Sequence, residues 1–176
     1  MTGRVLIIAL AITALVTGVA MYYLQVYAFY DQLTAEEAGP VLLVPQGSDQ
    51  GEPIAVADLR AIDSDSSPIR FRSCFTTAEP LDRLAQRYTP YDDPKPLNAP
   101  GWFDCFDAPE IGDAIEAGQA RAFLSIKDLR YGIDRIVAIL PDGRGFAWNQ
   151  INACGEVVFN GEPPPDGCPP VPERTE

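Results

Sequence analysis

The residues able to do chemistry are few, and their types exclude more than they permit. The chain carries four cysteines, Cys74, Cys105, Cys154 and Cys168, and no histidine among 176 residues. Without histidine there is no Ser-His-Asp or Cys-His pair, no HExxH zinc site and no histidine-ligated haem. A cysteine nucleophile would lack its usual base. Phosphate-cradling glycine loops, nucleophile elbows and dinucleotide fingerprints are all missing from the sequence. Catalysis is left to carboxylates, lysine or tyrosine. The expectation is therefore a protein that is not an enzyme and needs no cofactor, with a carboxylate-based hydrolase as the residual alternative.

The cysteine separations of 31, 49 and 14 residues contain no CxxC pair. They lack the usual zinc-ligand spacing, so no metal is expected. In an oxidising compartment four cysteines read as two disulfides with three connectivities open. Cys74–Cys105 with Cys154–Cys168 is the favoured one, because the second pair would close a short Gly/Pro-rich loop and pin the C-terminal tail. An Asp63-x-Asp65-x-Ser67 run opens like a calcium loop. Pro68 and Cys74 occupy the positions that demand glycine and glutamate, so turn chemistry explains it better.

Two patches have contact chemistry. Residues 101–107 (GWFDCFD) gather Trp102, Phe103, Asp104 and Asp107 around Cys105. They read as a disulfide-centred core loop or as an aromatic-acidic contact surface. Arg70 and Arg72 alternate with Ile69 and Phe71. They form a solvated strand face or a clamp for an anion. Residues 148–152 (WNQIN) form a polar-aromatic strand that could line a small pocket.

The elements that position these residues begin with an uncharged run, residues 5–30. As a helix it spans about 39 Å, enough to cross a bilayer with some tilt. Tyr22, Tyr23, Tyr27, Phe29 and Tyr30 collect at its C-terminal end, where aromatic rings prefer the headgroup interface. Arg4 precedes it and acidic residues follow, which places residues 1–4 in the cytoplasm. Gly18-Val19-Ala20 offers a signal-cleavage pattern, but apolar sequence continues beyond it and favours an uncleaved anchor. Ala14 and Gly18 form a small-xxx-small pair that could seat a neighbouring helix, although both residues are common in such helices anyway.

Residues 31–40 read as an acidic stalk, 41–161 as a domain, and 162–176 as a Pro-rich tail pinned by Cys168. Within the domain, strands are expected at 41–44, 54–62, 68–75, 120–126, 133–140, 146–152 and 157–159. Short helices are expected at 79–88 and 109–118, the second stopped by Gly118. Strands paired in hairpins, with two short helices between them, make an α+β domain whose helices cover one face of a mostly antiparallel sheet. Phe71, Phe75, Phe103, Phe123, Ile126, Ile133, Val137, Ile139, Trp148 and Val158 supply its core.

The stretches 21–30, 62–75, 99–107 and 131–161 resemble a small uncharacterised family from alphaproteobacteria of the Rhodobacter and Paracoccus type. The resemblance implies a single-pass inner-membrane protein with a periplasmic domain, and it supplies no catalytic residues. Some members carry a "histidine kinase" label, which a chain without histidine contradicts. Usage of 11 Arg against two Lys, with abundant Ala, Gly and Pro, fits a GC-rich bacterial source.

Net charge is −12, which argues against nucleic acid as a partner. With Arg4 set apart, the remainder holds 12 basic and 25 acidic residues, a net of −13. The leading expectation is a non-catalytic accessory or assembly subunit of an inner-membrane protein complex. Compartment and lineage point to respiratory or photosynthetic electron transport, where acidity would attract a cationic carrier. The alternative is a periplasmic small-ligand-binding or sensing domain.

Overall fold

The computed structural model describes residues 2–172; Met1 and the last four residues of the expected tail, 173–176, lie outside the described residues. Helix α1 (Thr2–Val26) is followed by strand β1 (Asp31–Leu33) and the single-turn helix α2 (Ala35–Ala38). Next come the hairpin strands β2 (Leu42–Leu43) and β3 (Glu52–Pro53), then β4 (Ala57–Asp63) and β5 (Arg72–Thr76). Helices α3 (Leu81–Arg87) and α4 (Ala108–Glu116) lead to strands β6 (Arg121–Arg130), β7 (Ile133–Ile139) and β8 (Arg144–Ile151). Helix α5 (Ala153–Phe159) is the last regular element among the described residues.

Six strands form one antiparallel sheet in the order β1-β4-β5-β8-β7-β6. The α+β architecture and both favoured disulfides, Cys74–Cys105 and Cys154–Cys168, are present. The sheet is covered on both sides. On one face Ile62, Cys74, Ile136, Ala138, Phe146 and Trp148 pack against Ile111 and Ala114 of α4 and against Phe103 and Phe106. On the other, Ala61, Phe75, Phe123, Val137, Ile139 and Ala147 meet Leu43 of β2, Ile54 beside the hairpin, and Leu84 of α3. The helices therefore divide between two faces rather than sharing one. Each fully buried large side chain contributes about 1.5–3 kcal/mol. Of the expected core residues, Ile126 and Val158 are half-buried and the others are buried.

Three further expectations about the domain need correction. Residues 31–40 are not a stalk. Asp31, Gln32 and Leu33 pair with Asp63, Ile62 and Ala61 as the edge of the sheet. Thr34 and Glu37 then cap α2 reciprocally, the Glu37 carboxylate accepting from the Thr34 backbone N–H at 2.8 Å. Residues 157–159 are helical, because Asn152 caps α5 by accepting from the Gly155 N–H at 3.0 Å. Arg70 and Arg72 do not share a solvated strand face. Regular strand begins only at Arg72, and with both sheet faces covered Arg72, Ser73, Cys74 and Phe75 are all buried.

Candidate contact site at the helix–domain junction

Helix α1 spans Gly3–Val26 with a mean hydropathy of 2.4, Arg4 being its one charged residue, and is long and apolar enough to cross a membrane. None of that span is buried against the rest of the chain. Ala14 and Gly18 lie on this exposed surface. The helical backbone stops at Val26, short of the expected residue 30. The last carbonyls of any helix lack intrahelical donors. Here the Trp102 indole N–H donates to the Val26 carbonyl at 2.7 Å, and residues 27–29 turn away.

The aromatic exit residues continue this joint. Tyr27 stacks on Trp102 with ring centroids 6.3 Å apart and on Tyr23 at 5.9 Å, while Tyr22 meets Tyr27 edge-on. Tyr30 and Phe103 both meet Trp102 edge-on, at 6.4 and 6.2 Å. Arg70 reaches in from the chain before β5. Its guanidinium lies over the rings of Tyr30 and Phe29, at 5.5 and 6.0 Å, and donates to the Tyr30 hydroxyl at 3.3 Å. Such cation–π contacts are worth about 0.5–1 kcal/mol where exposed and more where desolvated.

The loop bearing Trp102 is itself secured. Cys105 is bonded to Cys74 on β5. Phe106 meets Phe146 and Trp148 edge-on. Asp107 accepts from the Glu110 N–H at 3.0 Å and so caps α4. Asp104 pairs with Arg60 at 3.1 Å, both side chains exposed. Of the expected contact surface, Trp102 is half-buried in the joint, and Asp104 and Asp107 are exposed. Phe103 and Arg72 are buried and cannot serve an outside partner. Phe103 fills the core under Trp102. Arg72 spends its guanidinium on the carbonyls of Leu97, Asn98, Ile69 and Phe71, at 2.6 to 3.2 Å. Burial pulls its pKa down to about 10.

Sequence patterns gave no hint of two further polar clusters. The buried Asp134 carboxylate accepts from the Tyr91 hydroxyl, the Asp128 N–H and the Asn152 amide, at 2.9 to 3.1 Å. Burial, then Asp134, pushes the Tyr91 phenol up. This network holds the β6–β7 turn to the end of β8. Beside α3, a cleft of about 350 Å³ is lined by Glu52, Ile54, Arg83, Leu84, Arg87 and Tyr88. There Tyr88 donates to Glu52 at 2.7 Å, and burial pushes its phenol up to about 12. The expected pocket strand, residues 148–152, is largely spent inside the fold. Trp148, Asn149 and Gln150 are buried, and Gln150 accepts from the Lys95 N–H at 2.6 Å.

The arrangement defines a class: a disulfide-stapled α+β domain bonded directly to the end of an apolar N-terminal helix. The chain matches a family of unknown function (DUF6446) over residues 41–169, and it belongs to that family. The match takes in Arg70, Trp102 and all four cysteines, while α1, β1 and α2 precede it. No curated protein and no solved structure matches the chain.

Proposed function

We propose that the protein is a non-catalytic accessory or assembly subunit of an inner-membrane protein complex, acting through protein–protein contact. The observation that carries this reading is the joint of Trp102 with Val26 and of Arg70 with Tyr30. A domain tethered by a loose linker samples many orientations. One bonded to the helix end presents a single face at a fixed height, which suits a subunit docking beside larger neighbours. The lipid-exposed surface of α1 leaves room for a neighbouring helix at Ala14 and Gly18.

In this reading α1 is retained as an anchor, with its N-terminus cytoplasmic and the acidic domain in the periplasm of a bacterium. The two disulfides favour an oxidising compartment. A respiratory or photosynthetic complex fits the acidity, which would draw a cationic carrier to the surface. Gentle detergent extraction with crosslinking tests it. Recovery with a fixed set of membrane subunits is expected. Elution alone, with no crosslink of constant stoichiometry, overturns it.

The cleft beside α3 supports a second reading, a periplasmic domain that binds a small ligand between Arg83, Arg87 and Glu52. Thermal-shift screening against periplasmic metabolites separates the two, since only a ligand-binding domain is stabilised by one.

A further inference from the structure

The length of α1 sets the depth of the joint. In a bilayer spanned by α1, the Arg4 charge belongs in the first headgroup layer. Val26 lies about 33 Å further along the helix axis, against a hydrocarbon core of about 30 Å. The Val26 carbonyl then sits where the second headgroup layer begins. Trp102 donates to that carbonyl at 2.7 Å, so its indole shares this depth although it belongs to the domain. Arg70, held against Phe29 and Tyr30, lies at the level just beyond.

The outer side of the joint is aromatic. Tyr27 and Phe29 are 45% and 44% exposed. Beyond residue 29, the exposed large hydrophobic side chains among the described residues are Leu129, Phe159 and Val171 alone. Exposed aromatic surface is thus concentrated where the chain meets the membrane plane. The Arg70 guanidinium makes one side-chain hydrogen bond, to the Tyr30 hydroxyl at 3.3 Å. Among the described residues no carboxylate reaches it to within ion-pair distance. Neither neighbouring carboxylate competes: Asp104 pairs with Arg60 at 3.1 Å, and Asp31, next after Tyr30, makes no ion pair with Arg70. In a chain with 25 acidic residues against 13 basic ones, this guanidinium is left free for an acceptor from outside.

We infer that the joint is a phospholipid-headgroup site, in which the rings of Trp102, Tyr27 and Phe29 rest in the headgroup layer and Arg70 donates to a lipid phosphodiester. The inference rests on α1 being a retained anchor. Indole and phenol rings favour this layer because they join an apolar body to a polar tip. A guanidinium presents a planar fork that matches two phosphate oxygens. The phosphodiester is common to zwitterionic and anionic phospholipids, so the site needs no net negative lipid. An acidic domain can therefore lie on the bilayer through Arg70 without an anionic surface to repel it. The surface of the bilayer, as well as the end of α1, then fixes how the domain is turned.

The test uses the full chain reconstituted in phosphatidylcholine nanodiscs. Bromine atoms placed high on the acyl chains quench tryptophan only where it lies near the headgroup boundary. Trp148 is fully buried, so Trp102 is the tryptophan that lipid can reach. Shallow bromines are expected to quench part of the emission and deep bromines less of it, and Trp102→Phe should lose the quenched part. In solid-state NMR with labelled arginine, lipid phosphorus should dephase the guanidinium carbon. Arg70→Gln should lose that component, Arg4 contributing equally to both chains. Equal emission with and without bromine overturns the inference while leaving the anchor in place; a joint lifted off the bilayer for a protein partner would give that result. Equal dephasing in the parent and Arg70→Gln overturns it too. A chain that fails to co-elute with the discs overturns the anchor reading along with the inference.

Discussion

The Trp102 indole N–H caps the Val26 carbonyl from 76 residues away, at 2.7 Å. A loop held to β5 by Cys74–Cys105 thereby closes the end of α1. The helix leaves its axis where the aromatic cluster begins, and β1 joins the sheet only a few residues later. The domain consequently has no free tether. Its position relative to the helix rests on one indole bond, stacked rings and the Arg70–Tyr30 contact.

Trp102→Phe keeps a smaller aromatic ring in the stack and removes the donor. The Val26 carbonyl then loses its partner at a site partly screened from water. A cost of about 1–2 kcal/mol in chemical unfolding is expected. Protease cleavage within residues 27–31 should accelerate more than cleavage elsewhere, because the joint opens locally before the sheet does. Uniform acceleration at all sites would mean that Trp102 serves the core alone.

The two disulfides should be separable by their consequences. Cys154–Cys168 closes 14 residues, worth about 3 kcal/mol in the loop-entropy account, and Cys74–Cys105 closes 31, worth somewhat more. Replacing the first pair with serines should free residues 160–172 and fray α5 while the sheet persists. Replacing the second places polar groups beside Phe103, Phe106 and Phe146 and should lower the urea midpoint further. Urea titrations of both double variants check the order. A larger loss from the Cys154 pair would show that α5, not the Trp102 loop, closes the core.

Much of this fold was legible because its signals are local. The strands around 120–152 alternate or run apolar, Gly118 marks the stop of the helix before them with a φ of +68°, and the turn at 141–145 is rich in glycine. What escaped depends on distant partners. Asp31, Gln32 and Leu33 have no strand pattern of their own and become β1 only because β4 offers an edge. Residues 157–159 look like a strand by β-branching until the Asn152 cap and the Cys168 bond hold them in a helix. Arg72 carries a charge that alternation assigns to solvent, yet carbonyls from residues 97 and 98 surround it. The joint escaped for the same reason, since nothing in GWFDCFD names Val26 as its partner.

Asp63 makes stability depend on pH. Burial, the largest influence, pushes its carboxyl up, while the Ser64 N–H, Arg135 and Arg72 pull the other way. A folded pKa above the unfolded one, about 3.9, means the folded state binds the proton more tightly. The corresponding stability is full below the unfolded pKa and is lost as pH rises through the folded pKa. Asp63→Asn mimics the protonated form. Its Tm should equal that of the parent near pH 3 and exceed it increasingly toward neutrality. A variant less stable at pH 7 would show that attraction to Arg72 and Arg135 outweighs burial.

Asn152 joins two structures that meet nowhere else in the sequence. Its side-chain oxygen accepts from the Gly155 N–H and so starts α5. Its amide donates to Asp128 and Asp134, at 3.0 and 2.9 Å, bracing the β6–β7 turn. That turn must sit close to α5, because a Cβ on Gly132 would lie 2.5 Å from the Gly155 Cα, and Gly132 has a φ of +74°. Asn152→Ala loses the cap, worth about 1 kcal/mol, and leaves the buried Asp134 one donor short, costing about 1–3 kcal/mol more. Asn152→Asp keeps the cap but sets a third carboxylate against Asp128 and Asp134, so it should be at least as damaging at neutral pH. It should recover as pH falls and the carboxylates protonate, whereas the alanine variant should not. Urea unfolding of both variants at pH 5 and pH 7 measures this. Equal pH dependence in the two would reduce Asn152 to a helix cap.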